Sequence, residues 1–166
     1  MGARDAQRRD TAVQRLRATG ADAFGVPLDV TDDASAAAAA DLIADQAGGL
    51  DALINNAAIT GTMPQTPATV DPANVRIPGI DMGPVPAAYA TSKTLLNALT
   101  VHYAKELADT DILINAVCPG YTATDLNAFR GTRTPHQGAA IAIHLATLPD
   151  TGPTGGFFDD AGPVPW

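Results

Sequence analysis

A chain of 166 residues, 46% of them hydrophobic, is long enough for one domain with a packed core and too apolar to be a disordered tail. Its formal charge is −8, and five of its ten basic residues (Arg4, Arg8, Arg9, Arg15, Arg17) fall in the first 17 positions. The remainder is strongly acidic, which argues against nucleic acid as a partner. The single cysteine, Cys118, excludes an internal disulfide and a cysteine-cage metal site, and its apolar setting predicts a small buried hydrophobe. No secretory segment opens the sequence and no run approaches the ~18 apolar residues of a membrane span, so the expectation is a cytoplasmic protein with no membrane partner.

Residues 5–19 place Ala12, Val13 and Leu16 at helical spacing among arginines, and Gly20 supplies a stop. Residues 23–28 predict a strand. Asp29-Val30-Thr31-Asp32 ends it and offers Thr31 or Asp32 as the N-cap of a helix that runs through the alanine tract to Ala47, where Gly48-Gly49 breaks it. Residues 50–54 form a short apolar run between polar turn residues, as in a strand buried on both faces, followed by Asn55-Asn56-Ala57-Ala58. The pattern then predicts a helix over 86–108, a strand over 112–117, a turn at Pro119-Gly120, a helix over 135–147 and a last strand over 156–159. Alternation of strand and helix predicts an α/β fold with a parallel sheet. In such sheets ligands bind beyond the carboxyl ends of the strands, where Asp29, Asn55-Asn56 and residues 119–124 all fall, so a nucleotide site along one sheet edge is expected.

Tyr89-Ala90-Thr91-Ser92-Lys93 opens the long helix with a phenol and an ammonium four residues apart, hence on one helical face. An ammonium beside a phenol favours the phenolate and brings the tyrosine toward the working pH, as proton exchange with a carbonyl or alcohol requires. The pair is a candidate general acid/base; its alternative is an ordinary solvated helix face. His102, His136 and His144 share no spacing, so no metal site is expected. Leu95, Leu99 and Tyr103 form a stripe on the same helix that suits core packing or a partner subunit.

These residues together resemble the short-chain dehydrogenase/reductase family of Rossmann-fold, NAD(P)-dependent oxidoreductases. The resemblance is carried, in order, by Leu28-Asp29-Val30-Thr31, Asn55-Asn56-Ala57-Ala58, Tyr89 through Lys93, and Pro119-Gly120 with Thr124. Gly2-Ala3-Arg4-Asp5, the ending Gly155-Gly156-Phe157-Phe158-Asp159 and Trp166 are similar to the carbonyl-reductase-like branch that uses NADPH. The resemblance implies a single Rossmann-type domain over 1–166 that moves hydride between NADP(H), with NAD(H) as the alternative, and a small carbonyl or alcohol substrate. Tyr89 would be the proton donor, and Lys93 would hold the nicotinamide ribose and lower the phenol's pKa. Asp29 would cap the adenine, Asn56 would place its backbone against the adenosine ribose with Ala57 also in the cofactor site, and Arg4 would meet the 2′-phosphate. Pro119 and Gly120 would form the cofactor turn, with Thr124 bonding the nicotinamide carboxamide.

Two parts of the family pattern are missing from these 166 residues. The glycine-rich phosphate turn would precede Arg4, with the first two strands of the sheet. Between Asn56 and Tyr89 the family places a helix and a strand that ends in a catalytic serine, whereas residues 64–86 hold six prolines and no serine. The change in pattern near Arg76-Ile77 is that expected if one helix-plus-strand unit were removed. The sheet is therefore expected to be incomplete, with the strands at 23–28 and 50–54 lacking neighbours and 112–117 keeping only the last strand. The competing functional expectation is a catalytically inactive remnant that acts at most as a binding or interaction module.

Overall fold

In the computed structural model, which describes residues 1–56 and 87–166 (side chains of the latter from residue 92), the chain falls into two units, Met1–Ala57 and Ala58–Trp166. The first is a β-α-β-α arrangement: β1 (Gly2–Ala3), α1 (Ala6–Ala18), β2 (Val26–Pro27) and α2 (Asp33–Ala47). Strands β1 and β2 run parallel, with Gly2 opposite Val26 and Ala3 opposite Pro27. The amides of Val26 and Leu28 donate to the carbonyls of Met1 and Ala3 at 2.8 and 3.2 Å. Gly2 lets the Leu28 side chain lie close against the strand: a Cβ would stand 2.8 Å from Leu28 Cδ2, which would have to shift.

The helices begin and end where their sequences dictate. Asp5 caps α1 by accepting the Arg8 amide at 2.8 Å, and Arg15 and Arg17 in the last turn complement the helix dipole. Of the expected α1 stripe, Val13 is buried and Leu16 is exposed. Asp32 rather than Thr31 caps α2, accepting the Ala34 amide at 3.0 Å, and Gly48 closes that helix at a φ of +76°.

The second unit contains α3 (Ala87–Glu106), β3 (Ala116–Val117), a 3-10 turn (Asp125–Asn127), α4 (Pro135–Ala146), β4 (Phe157–Asp159) and β5 (Gly162–Val164). β4 lies between β3, which it meets in parallel, and β5, which it meets in antiparallel. The parallel pairing of the 112–117 segment with the last predicted strand is therefore present. A reciprocal capping box starts α4: the Gln137 amide donates to the Thr134 hydroxyl, and the Gln137 side chain accepts the Thr134 amide. Helix α3 buries Thr100 and Ala104, and Gly155 (φ +74°) lets the loop before β4 approach Ala104 closely.

Five features depart from the sequence-based expectations. The strands at 23–28 and 112–117 shrink to two residues each, since β1 offers β2 only two partners. Before β3, side chains take over part of the ladder: the Ile114 amide donates to Thr154 Oγ1 at 3.0 Å and Asn115 Nδ2 donates to the Pro153 carbonyl at 2.7 Å, while the Gly155 amide still donates to the Ile114 carbonyl at 2.7 Å. Second, the strand expected over 50–54 does not form; Leu50, Leu53 and Ile54 are 56%, 69% and 56% exposed. A strand buried on both faces needs a ladder on each side, and among the described residues nothing pairs with this segment. Third, β2 has a neighbour after all, in Gly2–Ala3. Fourth, Cys118 is exposed rather than buried, because β3 ends at Val117 and the chain leaves the sheet there, the Cys118 amide making its bond to the Phe158 carbonyl at 2.8 Å. The hairpin strand β5 was not foreseen; its Pro163 suits an edge position, and Trp166 just beyond it stacks on Phe157.

Candidate functional site

In the first unit the parallel pairing brings Arg4 and Asp29, which follow β1 and β2, to the same end of the two strands. Arg4 Nη1 lies 3.6 Å from Asp29 Oδ2, with the Arg4 side chain 71% exposed and that of Asp29 33% exposed. Asp29 is held from three directions. Its Oδ1 accepts the Thr31 hydroxyl at 2.7 Å and the Thr31 amide at 3.0 Å, and its own amide donates to Ser35 Oγ in α2 at 2.9 Å. These bonds from Thr31, side chain first and then backbone, together with the nearby Arg4 charge, hold the Asp29 carboxyl below the ordinary carboxylate range, with desolvation opposing them. Asp29 is thus a fixed carboxylate acceptor beside an open guanidinium. Asn55 and Asn56 are exposed, the Asn56 amide closing a tight turn on the Ile54 carbonyl at 3.0 Å; Ala57 lies outside the described residues.

In the second unit Tyr89 and Lys93 both belong to α3, one turn apart, as the spacing required. Lys93 is half-buried; the side chain of Tyr89 lies outside the described residues. The Pro119-Gly120 turn follows β3 with Gly120 at φ +69°, a conformation that favours glycine. Thr124 is half-buried and precedes the 3-10 turn. Its amide donates to Asn127 Oδ1 at 3.2 Å, its carbonyl accepts the Phe129 amide at 2.9 Å, and Asn127 Nδ2 donates to the Thr122 carbonyl at 2.7 Å. Beneath this loop, glycine removes side chains where backbone must pass: a Cβ at Gly131 would overlap the Thr122-Ala123 peptide, and one at Gly138 would overlap the Thr122 hydroxyl.

Three supporting residues were not foreseen. Thr31 and Ser35 hold Asp29, and the Asp-x-Thr spacing of the first is a turn signal that could have been read locally. Asn127 holds the Thr124 loop, and nothing in the local sequence sets it apart from an ordinary turn asparagine. A cleft of about 340 Å³ lies between α4 and the β4–β5 turn, lined by Ile141, Leu145, Phe158, Asp160 and Pro163 among others, and none of the expected site residues lines it. Among the described residues no group of three His, Cys, Asp or Glu side chains could hold a metal, and no helix is long and apolar enough to cross a membrane.

Comparison with known proteins bears on the family and the fold. The sequence model of the family described as short chain dehydrogenase matches residues 1–76 and 77–134, two segments that meet at Arg76 and Ile77, where the sequence pattern also changes. Salutaridine reductase of Papaver bracteatum is 42% identical over 73 residues, which cover 44% of this chain and 23% of that protein. Carbonyl reductase [NADPH] 1 of Rattus norvegicus is 36% identical over 86 residues, covering 48% of this chain and 31% of that protein. The chain thus spans between about a quarter and a third of the length of these curated relatives. The solved carbonyl reductase Sniffer of D. melanogaster superposes with a TM-score of 0.73 over 99% of this chain and 86% of its own, at 20% identity, which establishes a shared Rossmann-like α/β fold. Among the described residues the sheets are small and incomplete, as expected from the family segments that the sequence lacks. With the family pattern matched over more than half of its residues and the fold shared along nearly all of them, this chain belongs to the short chain dehydrogenase family.

Proposed function

We propose that the protein is an oxidoreductase that transfers hydride between NADP(H) and a small carbonyl or alcohol substrate, with residues 1–166 acting as one Rossmann-type domain. The observation that carries this reading is the Tyr89/Lys93 pair one turn apart at the start of α3 in a member of this family. The donor chemistry suits the cofactor. Arg4 offers a largely exposed planar fork to a 2′-phosphate, and Asp29, kept ionised by Thr31, accepts from an adenine amine. Asn56 serves the adenosine ribose with Ala57 beside it in the cofactor site, Pro119 and Gly120 form the cofactor turn, and Thr124 serves the nicotinamide carboxamide. NADP(H), when bound, supplies or takes up the hydride. Tyr89 gives its phenolic proton to the carbonyl oxygen in reduction, and the Lys93 ammonium favours the phenolate that remains. The names of carbonyl reductase [NADPH] 1 relatives support NADP(H) over NAD(H).

A second reading, binding of NADP(H) without turnover, is favoured by one sequence fact: no serine stands between Asn56 and Tyr89 to polarise the substrate carbonyl. One experiment separates the two. NADPH binding is followed by its fluorescence, and NADPH consumption is followed with a panel of ketones and aldehydes. Turnover that Tyr89→Phe abolishes while NADPH affinity stays within about twofold supports the first reading. Binding with no turnover supports the second, and absence of NADPH binding rejects both.

A further inference from the structure

We propose that Arg133 is a positioning residue for the nicotinamide end of NADP(H), acting through the backbone of residues 120–124; this rests on the function proposed above. Arg133 lies in the segment before α4, and both its backbone and its side chain grip that loop. Its amide donates to the Tyr121 carbonyl at 3.1 Å, and its carbonyl accepts the Ala123 amide at 2.8 Å, an isolated bridge centred on Thr122 and Arg133. Its side chain lies over Gly120, so that a Cβ there would stand 2.7 Å from Arg133 Cδ. Beyond the glycine the guanidinium divides between two anchors: Nη2 donates to the Gln137 carbonyl in the first turn of α4 at 2.8 Å and pairs with the Asp160 carboxylate in the β4–β5 turn. Nε is buried with no acceptor among the described residues, so both of these bonds leave from the one terminal nitrogen.

One side chain therefore joins the cofactor loop, the start of α4 and the hairpin turn. The loop has a positive φ at Gly120 and, further on, at the non-glycine residues Ala128 and Phe129. Backbone in that region is costly for ordinary residues and persists only where surrounding contacts hold it. Thr124, the group assigned to the carboxamide, follows directly on Ala123, whose amide donates to the Arg133 main-chain carbonyl, and the side-chain anchors at Gln137 and Asp160 hold that carbonyl in place. Loosening Arg133 thus displaces the nicotinamide contact and leaves Arg4 and Asp29 unchanged. Lysine reproduces the charge toward Asp160, but its shorter side chain does not carry a nitrogen to the position from which Nη2 meets both the Gln137 carbonyl and Asp160.

The test compares NADPH with 2′-phospho-ADP-ribose, which lacks the nicotinamide, as ligands of the wild type, Arg133→Ala, Arg133→Lys and Asp160→Asn, together with hydrogen exchange at the Ala123 amide. Arg133→Ala is expected to weaken NADPH about tenfold and the fragment less than about twofold, the tenfold being what loss of one charge-assisted anchor produces. Arg133→Lys and Asp160→Asn are expected to fall between wild type and alanine, with Ala123 exchanging faster in each variant while α1 amides keep their protection. Equal weakening of the two ligands would mark Arg133 as a purely structural residue and overturn the proposal. Unchanged exchange at Ala123 overturns it as well, whatever the affinities. If the wild type binds the fragment and NADPH equally poorly, the cofactor assignment falls, and Ala123 exchange still decides whether Arg133 clamps the loop.

Discussion

Asp29 shows how a single residue acquires its properties from neighbours two and six positions along the chain. The Thr31 hydroxyl and amide and the Ser35 oxygen fix it in place, and Arg4 adds a charge. Because its folded pKa is lowered, its stabilising contribution is fully present above the ordinary carboxylate pKa, about 3.9, and is lost as pH falls through the depressed folded value. Thr31→Val removes the leading cause and should move the Asp29 titration midpoint upward in a carboxyl-carbon NMR titration; an unmoved midpoint would assign the shift to the backbone amide of residue 31 and to Arg4. Arg4 makes a complementary prediction. Its guanidinium is open to solvent beside a carboxylate, so Arg4→Ala should narrow the ratio of NADPH to NADH affinity, and equal affinities in the wild type would remove it from the 2′-phosphate.

The glycines at the ends of elements differ in what a side chain would meet there. Gly48, which closes α2 at φ +76°, has open space around its Cα, so Gly48→Ala should cost only the backbone strain, about 1 kcal/mol. Gly120 combines φ +69° with the Arg133 stem, so Gly120→Ala should cost more and should also release the loop. Amide exchange near each site distinguishes them: Gly48→Ala should accelerate only the last turn of α2, and Gly120→Ala should expose the Ala123 amide. On α3, Leu95, Leu99 and Tyr103 are 59%, 39% and 48% exposed, so the stripe that the sequence marks is not covered by core.

At the scale of the molecule, the core formed by the described residues is thin. Among the described residues Val13, Val26, Ala39, Ala104, Ala116 and Ile141 are the buried apolar side chains, and half of them are alanines. Alanine buries little surface, and at about 25 cal/mol per Å² such a set contributes modestly. The strand order foresaw unpaired backbone groups at 23–28 and 50–54. The chain avoids burying them, by pairing β2 with Gly2–Ala3 and by leaving residues 50–54 in solvent. A broad thermal transition of low cooperativity is therefore expected. NADPH at about a hundred times its Kd should raise the midpoint, since a ligand of the folded state at that excess adds about 2.7 kcal/mol. A sharp transition indifferent to millimolar NADPH would contradict both the thin core and the cofactor assignment.

Helix ends, the α/β alternation and the family motifs were legible from the residues alone, because each rests on local chemistry: Asp5, Asp32 and Thr134 are capping side chains, Gly48 is a left-handed stop, and Tyr89 and Lys93 are one helical turn apart. Strand extent was not legible. An apolar run such as 50–54 becomes a strand only if other segments supply hydrogen bonds along its length, and that depends on what lies beside it rather than on its own side chains. For the same reason Cys118, apolar in its sequence setting, emerges at the exposed end of β3. The pairing of Arg4 with Asp29 required β1 to lie against β2, and the grip of Arg133 on the Gly120 loop required α4 and the β4–β5 turn to meet it. The sequence by itself determined which chemical groups are present and which helices carry them. Only the tertiary structure decided which groups are held, because hydrogen bonds and ion pairs between distant segments form where backbone pairing brings them within about 3 to 4 Å.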